Sequence, residues 1–290
     1  MKGENVLKHG IIAFVHIEKC GGTTLNNILR RNYLINHFEV ILRDKNSSLF
    51  GPEDMRHLLR LNPRVTSIAG HVIQLSSNLE SVVKDVKYFT LLRDPIKRYI
   101  SDYQFGVDIL KYPADFDAWL ERTDRHNIMT KAIAGEENVE KAKKLISTKM
   151  SLVGIVEKYE EFLEGLRLLV WPDKLDISYE IKNIASQRKT KHFQQIDLIK
   201  YKKQLMKNNE LDLELYNFVC ADVLSKQREK ILTEKSKTFV PKIVQYSRIS
   251  SMARIFLNRI YRNLIYKPYV GQWPVPHMLD FYKIKRQPRS

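Results

Sequence analysis

Residues 11–25, IIAFVHIEKCGGTTL, contain the change from strand to helix that decides the fold of this chain. The run IIAFVHI (11–17) is apolar and rich in β-branched residues, which predicts a strand buried on both faces of a sheet. Two glycines follow it, and residues 23–31 then have the spacing of an amphipathic helix. A buried strand, a glycine turn and a helix in this order indicate the first unit of an α/β fold.

The turn itself, EKCGGTTL (18–25), has the composition of a loop that binds a phosphate group. Its glycines let the backbone approach an anion without a Cβ in the way, and the helix start offers unpaired N–H groups and a positive dipole end. Lys19 adds a full positive charge. Nucleotide triphosphatases place the lysine after the last glycine, in G-x-x-x-x-G-K-S/T, whereas Lys19 precedes both glycines. The alternative is a tight structural turn without a ligand.

The segment YFTLLRDPIKRYISDY (88–103) places further polar groups at a strand end. A buried strand leads to Arg93, Asp94 and Pro95 fit the N-cap and first turn of a helix, and Ser101 follows about two turns later. We expect Arg93 and Ser101 to reach one phosphate; a structural ion pair for Arg93 is the alternative. The apolar stripe of this helix is predicted to face the core: Ile96, Tyr99, Ile100 and Tyr103.

The rest of the chain alternates between strand and helix patterns. Further buried strands are predicted at 65–70, 87–93 and 151–157, and helices near 52–61, 77–85, 97–110, 115–146 (with breaks), 158–170 and 194–232. This alternation predicts a three-layer α/β fold of the P-loop-like kind, with a central, mostly parallel sheet flanked by helices. The composition changes after Pro241, so we predict a main domain at 1–235 and a basic, helical, amphipathic C-terminal extension at 236–290.

The charge of this chain is unevenly distributed. The net charge is +16 over 290 residues, and residues 241–290 hold ten Lys and Arg against one acid, which gives +9. A localised basic segment favours a polyanion or a membrane surface as partner. The two cysteines, Cys20 and Cys220, form neither a disulfide framework nor a zinc-ligand spacing, which indicates a reducing compartment. The run at 11–17 is too short for a signal peptide or a transmembrane anchor, so we expect a cytoplasmic protein, with membrane association left open.

Two segments together resemble the sulfotransferase family, FVHIEKCGGTT (14–24) and LLRDPIKRYISDY (91–103). They are similar to the segments that bind 3′-phosphoadenosine 5′-phosphosulfate (PAPS) in the carbohydrate branch of that family, which includes heparan sulfate 2-O-sulfotransferase and the bacterial sulfotransferases of family 2. Three further segments fit in the same order: Gly70-His71-Val72, LVGIVEKYEEFLEGL (152–166) and LDLELYNF (211–218), the last resembling the family's D-x-x-L-Y helix. The resemblance covers about residues 11–220.

The resemblance implies a PAPS-dependent enzyme that transfers a sulfuryl group by direct in-line displacement to a carbohydrate or glycolipid hydroxyl, releasing 3′-phosphoadenosine 5′-phosphate. It implies His71 as the general base, Lys19 as a catalytic residue near the bridging oxygen of the phosphosulfate, and no metal. The loop at 19–24 would hold the 5′-phosphosulfate, and Arg93 with Ser101 the 3′-phosphate. The donor-binding residues that it implies are Lys19, Cys20, Gly21, Gly22, Thr23, Thr24, Arg93 and Ser101.

Two residues depart from the family pattern. Glu18 stands where the family usually has Pro and puts a negative charge beside the anion site, so we expect it to point away or to pair with a Lys or Arg. Cys20 stands where Thr is common, and its position at a helix start is expected to lower its pKa. His71 follows a glycine at a strand end, which favours it as the base, although a surface or core role is the alternative. It is preferred over His16, His57, His126 and His192.

Two other function classes stay open from the sequence. A P-loop kinase or other nucleotide phosphotransferase shares the strand, loop and helix, but the lysine is placed differently and no aspartate ends an apolar strand to hold magnesium. A non-enzymatic polyanion-binding protein fits the sequence pI of 9.6 but does not explain two phosphate-type motifs at strand ends. No nucleic-acid-binding module is present, so we expect no nucleic acid partner.

The segment SRISSMARIFLNRIYRNLIY (247–266) has the pattern of a basic amphipathic helix. Its apolar positions recur at helical spacing with arginines interleaved: Ile249, Met252, Phe256, Ile260 and Leu264. We expect this stripe to pack on the main domain. Peripheral contact with a membrane through 247–266 and a positively charged shelf for an acidic glycan are the alternatives. Trp273 is expected to stack on a sugar ring or to anchor the tail.

Overall fold

The computed structural model describes residues 10–44, 46–170, 175–179, 196–227, 229, 233 and 245–272. Within them, one sheet of five parallel strands has the order β2-β3-β1-β4-β5. The strands are β1 (Ile11–Val15), β2 (His37–Glu39), β3 (Ser67–Gly70), β4 (Val86–Leu92) and β5 (Met150–Ile155). Helices flank this sheet, so the predicted three-layer α/β architecture is confirmed.

The strands at the centre of the sheet are apolar and buried. All five residues of β1 are buried, and so are the last five of β4. β1 pairs with β3 on one side and with β4 on the other, which satisfies its backbone groups. Burial of each large apolar side chain contributes about 1.5–3 kcal/mol, so these runs fix where the sheet lies in the chain.

The helices agree with the predicted pattern in most places. They are α1 (Gly22–Tyr33), α2 (Pro52–Leu61), α3 (Pro95–Asp108), α4 (Phe116–Leu120), α5 (Ile128–Ala134), α6 (Val139–Lys149), α7 (Tyr159–Leu169), α8 (Leu198–Asn208), α9 (Glu210–Phe218), α10 (Arg248–Tyr261) and α11 (Lys267–Tyr269). Two π-helical turns, Val219–Val223 and Arg262–Tyr266, extend α9 and α10. His192 and Trp273 lie outside the described residues.

The predicted helix at 77–85 is wrong. Only a single 3₁₀ turn forms there, at Leu79–Ser81. Leu79, Val82 and Val83 are all buried, so the apolar spacing that suggested a helix is satisfied by one turn followed by a loop into β4.

The sequence does not predict β2, the strand at one edge of the sheet. It has three residues and pairs in parallel with β3, where His37 is opposite Ser67 and Glu39 is opposite Ala69. Three residues are too few to show the periodicity by which a strand is recognised.

The tail helix α10 lies against the end of α1 and the beginning of β2. Arg254 donates to the carbonyl oxygens of Arg31 and Asn32, and Asn258 donates to those of Leu34 and His37. The last carbonyl oxygens of a helix have no hydrogen-bond donor within it. The end of α1 therefore needs donors from outside, and the polar side of α10 supplies them. The expectation that the apolar stripe packs on the main domain is therefore wrong. Its five residues are exposed: Ile249, Met252, Phe256, Ile260 and Leu264.

The described part of the C-terminal extension, 245–272, is attached to the main domain along its length. The backbone N–H of Ile41 donates to the Tyr266 hydroxyl, and the Gln272 amide donates to the Leu42 carbonyl oxygen. The boundary near 236 lies outside the described residues, and the division into 1–235 and 236–290 stays a prediction. In the part of the chain that the structure describes, every helix is too short or too polar to cross a membrane.

Candidate active site

Three adjacent strands end at one edge of the sheet and bring the predicted site residues together. β1 leads into the loop at 19–24, β3 ends at Gly70 beside His71, and β4 is followed by Arg93. The chain places β2 and β3 on one side of β1 and β4 and β5 on the other, so β1 ends where the strand order reverses. Open α/β sheets bind ligands at this kind of position.

The loop between β1 and α1 has a backbone shape that requires its glycines. Lys19 and Gly21 both have left-handed backbone angles, with φ of 65° and 76°. A Cβ on Gly22 would lie 1.9 Å from Nε2 of His16, so only glycine fits against that ring. Backbone conformation therefore favours glycine at one position, and lack of space requires it at the next.

The start of α1 is open to an anion. No side chain caps this helix, and its first turn contains no acidic residue. The first N–H groups of a helix have no acceptor within it, and the helix dipole places partial positive charge there. Thr23 is exposed and Thr24 is half-buried, so two hydroxyl groups accompany these N–H groups.

Two basic residues, Lys19 and Arg93, lie at this helix start, and each is held by a specific contact. The Lys19 ammonium lies 3.9 Å above the centre of the Phe105 ring on α3, a cation–π contact that orients the lysine. Arg93 donates from Nη1 to the carbonyl oxygen of Lys19 at 3.1 Å. The residue after β4 therefore contacts the loop after β1, and the two predicted motifs form one site.

Ser101, predicted to act with Arg93, lies half-buried in α3. Within the described residues, no hydrogen bond joins it to Arg93. The helix begins as expected, with Pro95 in its first turn and the Asp94 carboxylate accepting from the N–H of Lys97 at 2.8 Å. The predicted stripe faces the core: Tyr99, Ile100 and Tyr103 are buried and Ile96 is partly buried.

His71 lies beside the loop with its ring fixed by two contacts. Its Nδ1 is 2.7 Å from the carbonyl oxygen of His16, and its ring stacks on the His16 ring with 4.1 Å between centroids. A carbonyl oxygen can only accept a hydrogen bond, so Nδ1 carries the proton and Nε2 of the neutral ring carries the lone pair. His71 is exposed, which leaves its ring accessible from outside the protein.

Comparison with known families agrees with this arrangement. The model of the sulfotransferase family matches residues 6–219, most of the chain. The chain belongs to the sulfotransferase family. No curated protein gives a significant match to this sequence. The matched span includes all three strand ends and α9, and it stops before the described part of the tail.

His16 of this sulfotransferase supports His71, and the sequence alone does not single it out. Its ring stacks on the Phe14 ring with 5.1 Å between centroids and on the His71 ring with 4.1 Å between centroids. Burial, followed by the charges of His71, Arg30 and Lys19, lowers the pKa of His16 well below its usual range. His16 is therefore a neutral support, and the only signal for it in the sequence is its position three residues before Lys19.

The side chain of Cys20 lies in the core of the sulfotransferase, with 1% of it exposed. Burial raises the pKa of its thiol to about 12, against the opposing charges of Arg98 and Arg93. The expected lowering of this pKa at the helix start is wrong, because desolvation outweighs the nearby positive charge. Its side chain packs in the hydrophobic core, and its backbone N–H donates to the Ile17 carbonyl oxygen at 3.4 Å.

Glu18, the departure from the sulfotransferase pattern, pairs with an arginine as expected. Its Oε2 is 3.2 Å from Nη1 of Arg125, which also lies 3.7 Å from the Asp102 carboxylate. Arg98 is fully buried, pairs with Asp102 at 3.5 Å and donates to the Arg125 carbonyl oxygen. The charge of Glu18 is thus compensated by Arg125, which lies outside both predicted motifs.

The D-x-x-L-Y helix of the sulfotransferase, α9, and α5 cap each other. The buried Asp212 carboxylate accepts from the N–H groups of Met129 and Thr130 at 3.0 and 2.7 Å. In return, the Asn127 side-chain oxygen accepts from the N–H groups of Leu211 and Asp212. The aspartate of this motif therefore has a structural role, the satisfaction of helix N–H groups.

The tyrosine of the same motif is connected to the turn that carries Arg93. The Tyr216 hydroxyl donates to the Glu157 carboxylate at 3.1 Å, and the other oxygen of Glu157 accepts from the N–H of Asp94 at 3.2 Å. Three segments that are distant in sequence, 91–103, 152–166 and 211–218, thus meet at Glu157. Among the described residues, no cluster of three or more His, Cys, Asp or Glu side chains is arranged to hold a metal ion.

Proposed function

We propose that this sulfotransferase takes the sulfuryl group from PAPS and transfers it by direct in-line displacement to a hydroxyl of a carbohydrate or glycolipid. The observation that carries the proposal is an anion site directly beside a histidine with a fixed tautomer. The anion site consists of Lys19 and the uncapped start of α1, and the histidine is His71. Sulfuryl transfer needs both parts, one for the leaving phosphate and one for the acceptor hydroxyl.

The loop at 19–24 suits a phosphosulfate group. PAPS supplies an activated sulfuryl group attached to a phosphate. The N–H groups at the start of α1 would bind its oxygens, and glycine at 22 lets the backbone approach closely. Lys19 would stabilise the negative charge that the leaving phosphate oxygen gains as the S–O bond breaks. Arg93, together with Ser101, would bind the 3′-phosphate.

His71 would act as the general base through Nε2. The hydroxyl oxygen of the acceptor forms a bond to sulfur, its proton passes to Nε2, and the bridging oxygen leaves with the electron pair of its bond to sulfur. The products are a sulfate ester and 3′-phosphoadenosine 5′-phosphate. The His16 carbonyl has a positioning role here, because its hydrogen bond to Nδ1 keeps the lone pair on Nε2.

The acceptor class is proposed from the family resemblance. The segments at 14–24 and 91–103 resemble the carbohydrate branch, and sugar hydroxyls need a base because they are weak nucleophiles at neutral pH. A glycolipid joins the proposal because it combines the same hydroxyl chemistry with a membrane location.

The first experiment tests recognition of the 3′-phosphate. Binding of 3′-phosphoadenosine 5′-phosphate and of AMP, which differ only in that group, is measured by calorimetry on the wild type and on Arg93→Met. We expect the 3′-phosphorylated nucleotide to bind more tightly and Arg93→Met to lose most of that difference, with AMP binding unchanged. An equal loss for both nucleotides would reduce Arg93 to a support of the loop. Equally tight binding of ATP with magnesium would favour a nucleotide phosphotransferase and contradict the proposal.

The second experiment identifies the acceptor and tests the base. The protein is incubated with sulfur-labelled PAPS and a panel of glycans and glycolipids. With the acceptor that becomes labelled, His71→Asn is expected to lower kcat by about 10²–10⁴-fold and to leave nucleotide affinity unchanged. His57→Asn is the matched control, because its ring stacks on Tyr269 and not on the loop. Normal turnover by His71→Asn would remove this residue as the base.

A further inference from the structure

The tail helix α10 contacts the main domain with its polar side, which is the reverse of an ordinary surface helix. Surface helices of globular proteins bury an apolar stripe and expose their polar residues. α10 instead buries Asn258 and half-buries Arg254, and both donate to backbone carbonyl oxygens of the main domain. Its apolar side is therefore left on the outside of the protein.

The outer face of the tail consists of Ile249, Met252, Phe256, Ile260 and Leu264. Ile249 is 82% exposed, and Met252, Phe256 and Leu264 are each 62% exposed. These positions recur every three or four residues, so they lie on one side of a helix. Leu257 and Ile265 are exposed as well. A continuous exposed apolar surface of this kind marks an interaction site.

The charge around this outer face favours an anionic partner. Residues 245–272 contain five basic residues and no acid: Arg248, Arg254, Arg259, Arg262 and Lys267. Arg248 and Arg259 are exposed on α10 itself. A second copy of this chain would bring the same positive charges together across a symmetric contact, which opposes dimerisation through the tail. Anionic headgroups above apolar acyl chains suit both the charge and the apolar side chains.

We propose that the outer face of the tail binds peripherally to an anionic membrane surface. The helix lies in the plane of the interface, with its apolar side chains at the level of the headgroups and acyl chains and the exposed Arg248 and Arg259 near lipid phosphates. Near the carboxyl end of β2 the Gln272 amide donates to the Leu42 carbonyl oxygen, so binding would hold that edge of the sheet next to the lipid. The proposal stands on the tail alone and does not rest on the sulfotransfer reaction.

Flotation of the full chain with lipid vesicles tests this surface. The vesicles are phosphatidylcholine alone and phosphatidylcholine mixed with phosphatidylglycerol. We expect binding to the mixed vesicles, weakened by salt, and a loss of roughly tenfold or more in Phe256→Ser and in Ile249→Ser. Ile199→Ser is the matched control, because Ile199 on α8 is 88% exposed and lies in a different part of the chain. The circular dichroism spectrum and the thermal unfolding midpoint of each variant show that it is folded.

Each outcome of the flotation experiment supports or contradicts membrane binding by the tail. Loss of vesicle binding in the two tail variants and not in Ile199→Ser supports the proposal. Unchanged binding of Phe256→Ser, or equal binding to neutral and anionic vesicles, overturns it. A concentration-dependent dimer by light scattering that Phe256→Ser converts to a monomer, without vesicle binding by the wild type, overturns it in favour of a second copy.

Discussion

The loop at 19–24 and the tail helix are both basic, but they use their charge in different ways. In the loop, backbone shape and two contacts hold the charge in place: Lys19 lies over Phe105, and Arg93 donates to the Lys19 carbonyl oxygen. In the tail, Arg254 is used to attach the helix to the main domain, and the apolar side chains are left exposed. In the loop, contacts fix the position of the charge, whereas in the tail helix a charged side chain attaches the helix to the main domain.

The two regions differ in how much of their geometry the sequence pattern predicts. The parts of the loop lie within a few residues of each other, so their spacing predicts their geometry. An amphipathic pattern defines two sides of a helix but does not say which side meets the protein. For α10 the receiving surface decides, because the end of α1 presents backbone carbonyls that need donors.

Substitution of Lys19 by Met tests whether the charge of the loop depends on this side chain. The variant keeps an unbranched stem over Phe105 and removes the ammonium. We expect the affinity for 3′-phosphoadenosine 5′-phosphate to fall about 10–100-fold, because a hydrogen bond to a charged group contributes about 1.5–3 kcal/mol. Calorimetry measures the change. Lys144→Met, an exposed lysine on α6, is the control and should bind as the wild type does. An unchanged affinity in Lys19→Met would show that the helix start and Arg93 hold the anion without it.

Four of the five strands were predictable within two residues of their ends because each is an apolar run. The short edge strand β2 was not, since its pairing with β3 stabilises a segment with no pattern of its own. The helix expected at 77–85 failed for the opposite reason, because a turn buries the same apolar spacing. A local sequence pattern therefore predicts a strand or a helix correctly only where tertiary contacts do not change the outcome.

The motifs of the candidate site were predictable from the sequence, but the residues that support those motifs were not. Lys19, His71 and Arg93 are placed together because parallel strands end at one edge of the sheet. The partner of Glu18 is Arg125, which is 107 residues away, and Glu157 is 63 residues from Asp94. Contacts at such separations leave no periodic signal in one sequence, so the fold is needed to find them.

Substitution of Gly22 by Ala tests whether the loop depends on shape as well as charge. The added Cβ would lie 1.9 Å from Nε2 of His16, so the ring or the loop must move. We expect a loss of about 1–3 kcal/mol in the free energy of unfolding, measured in urea, and weaker nucleotide binding. Gly51→Ala is the matched control: it precedes α2, and a Cβ there meets no atom within 4 Å. Equal stability of the two variants would mean that His16 does not constrain the loop.

Substitution of Asn258 by Ala tests whether polar contacts attach the tail. Its side-chain amide uses both donors, to the Leu34 and His37 carbonyl oxygens at 2.6 and 2.9 Å, and the residue is buried. We expect a loss of about 1 kcal/mol in the free energy of unfolding, because two carbonyl oxygens lose a donor that water replaces only in part. Asn217→Ala, an exposed asparagine on α9, is the control and should change stability little. If Asn258→Ala were as stable as that control while Phe256→Ser lost stability, the apolar side of α10 would be the attached side, and the contrast between loop and tail would fail.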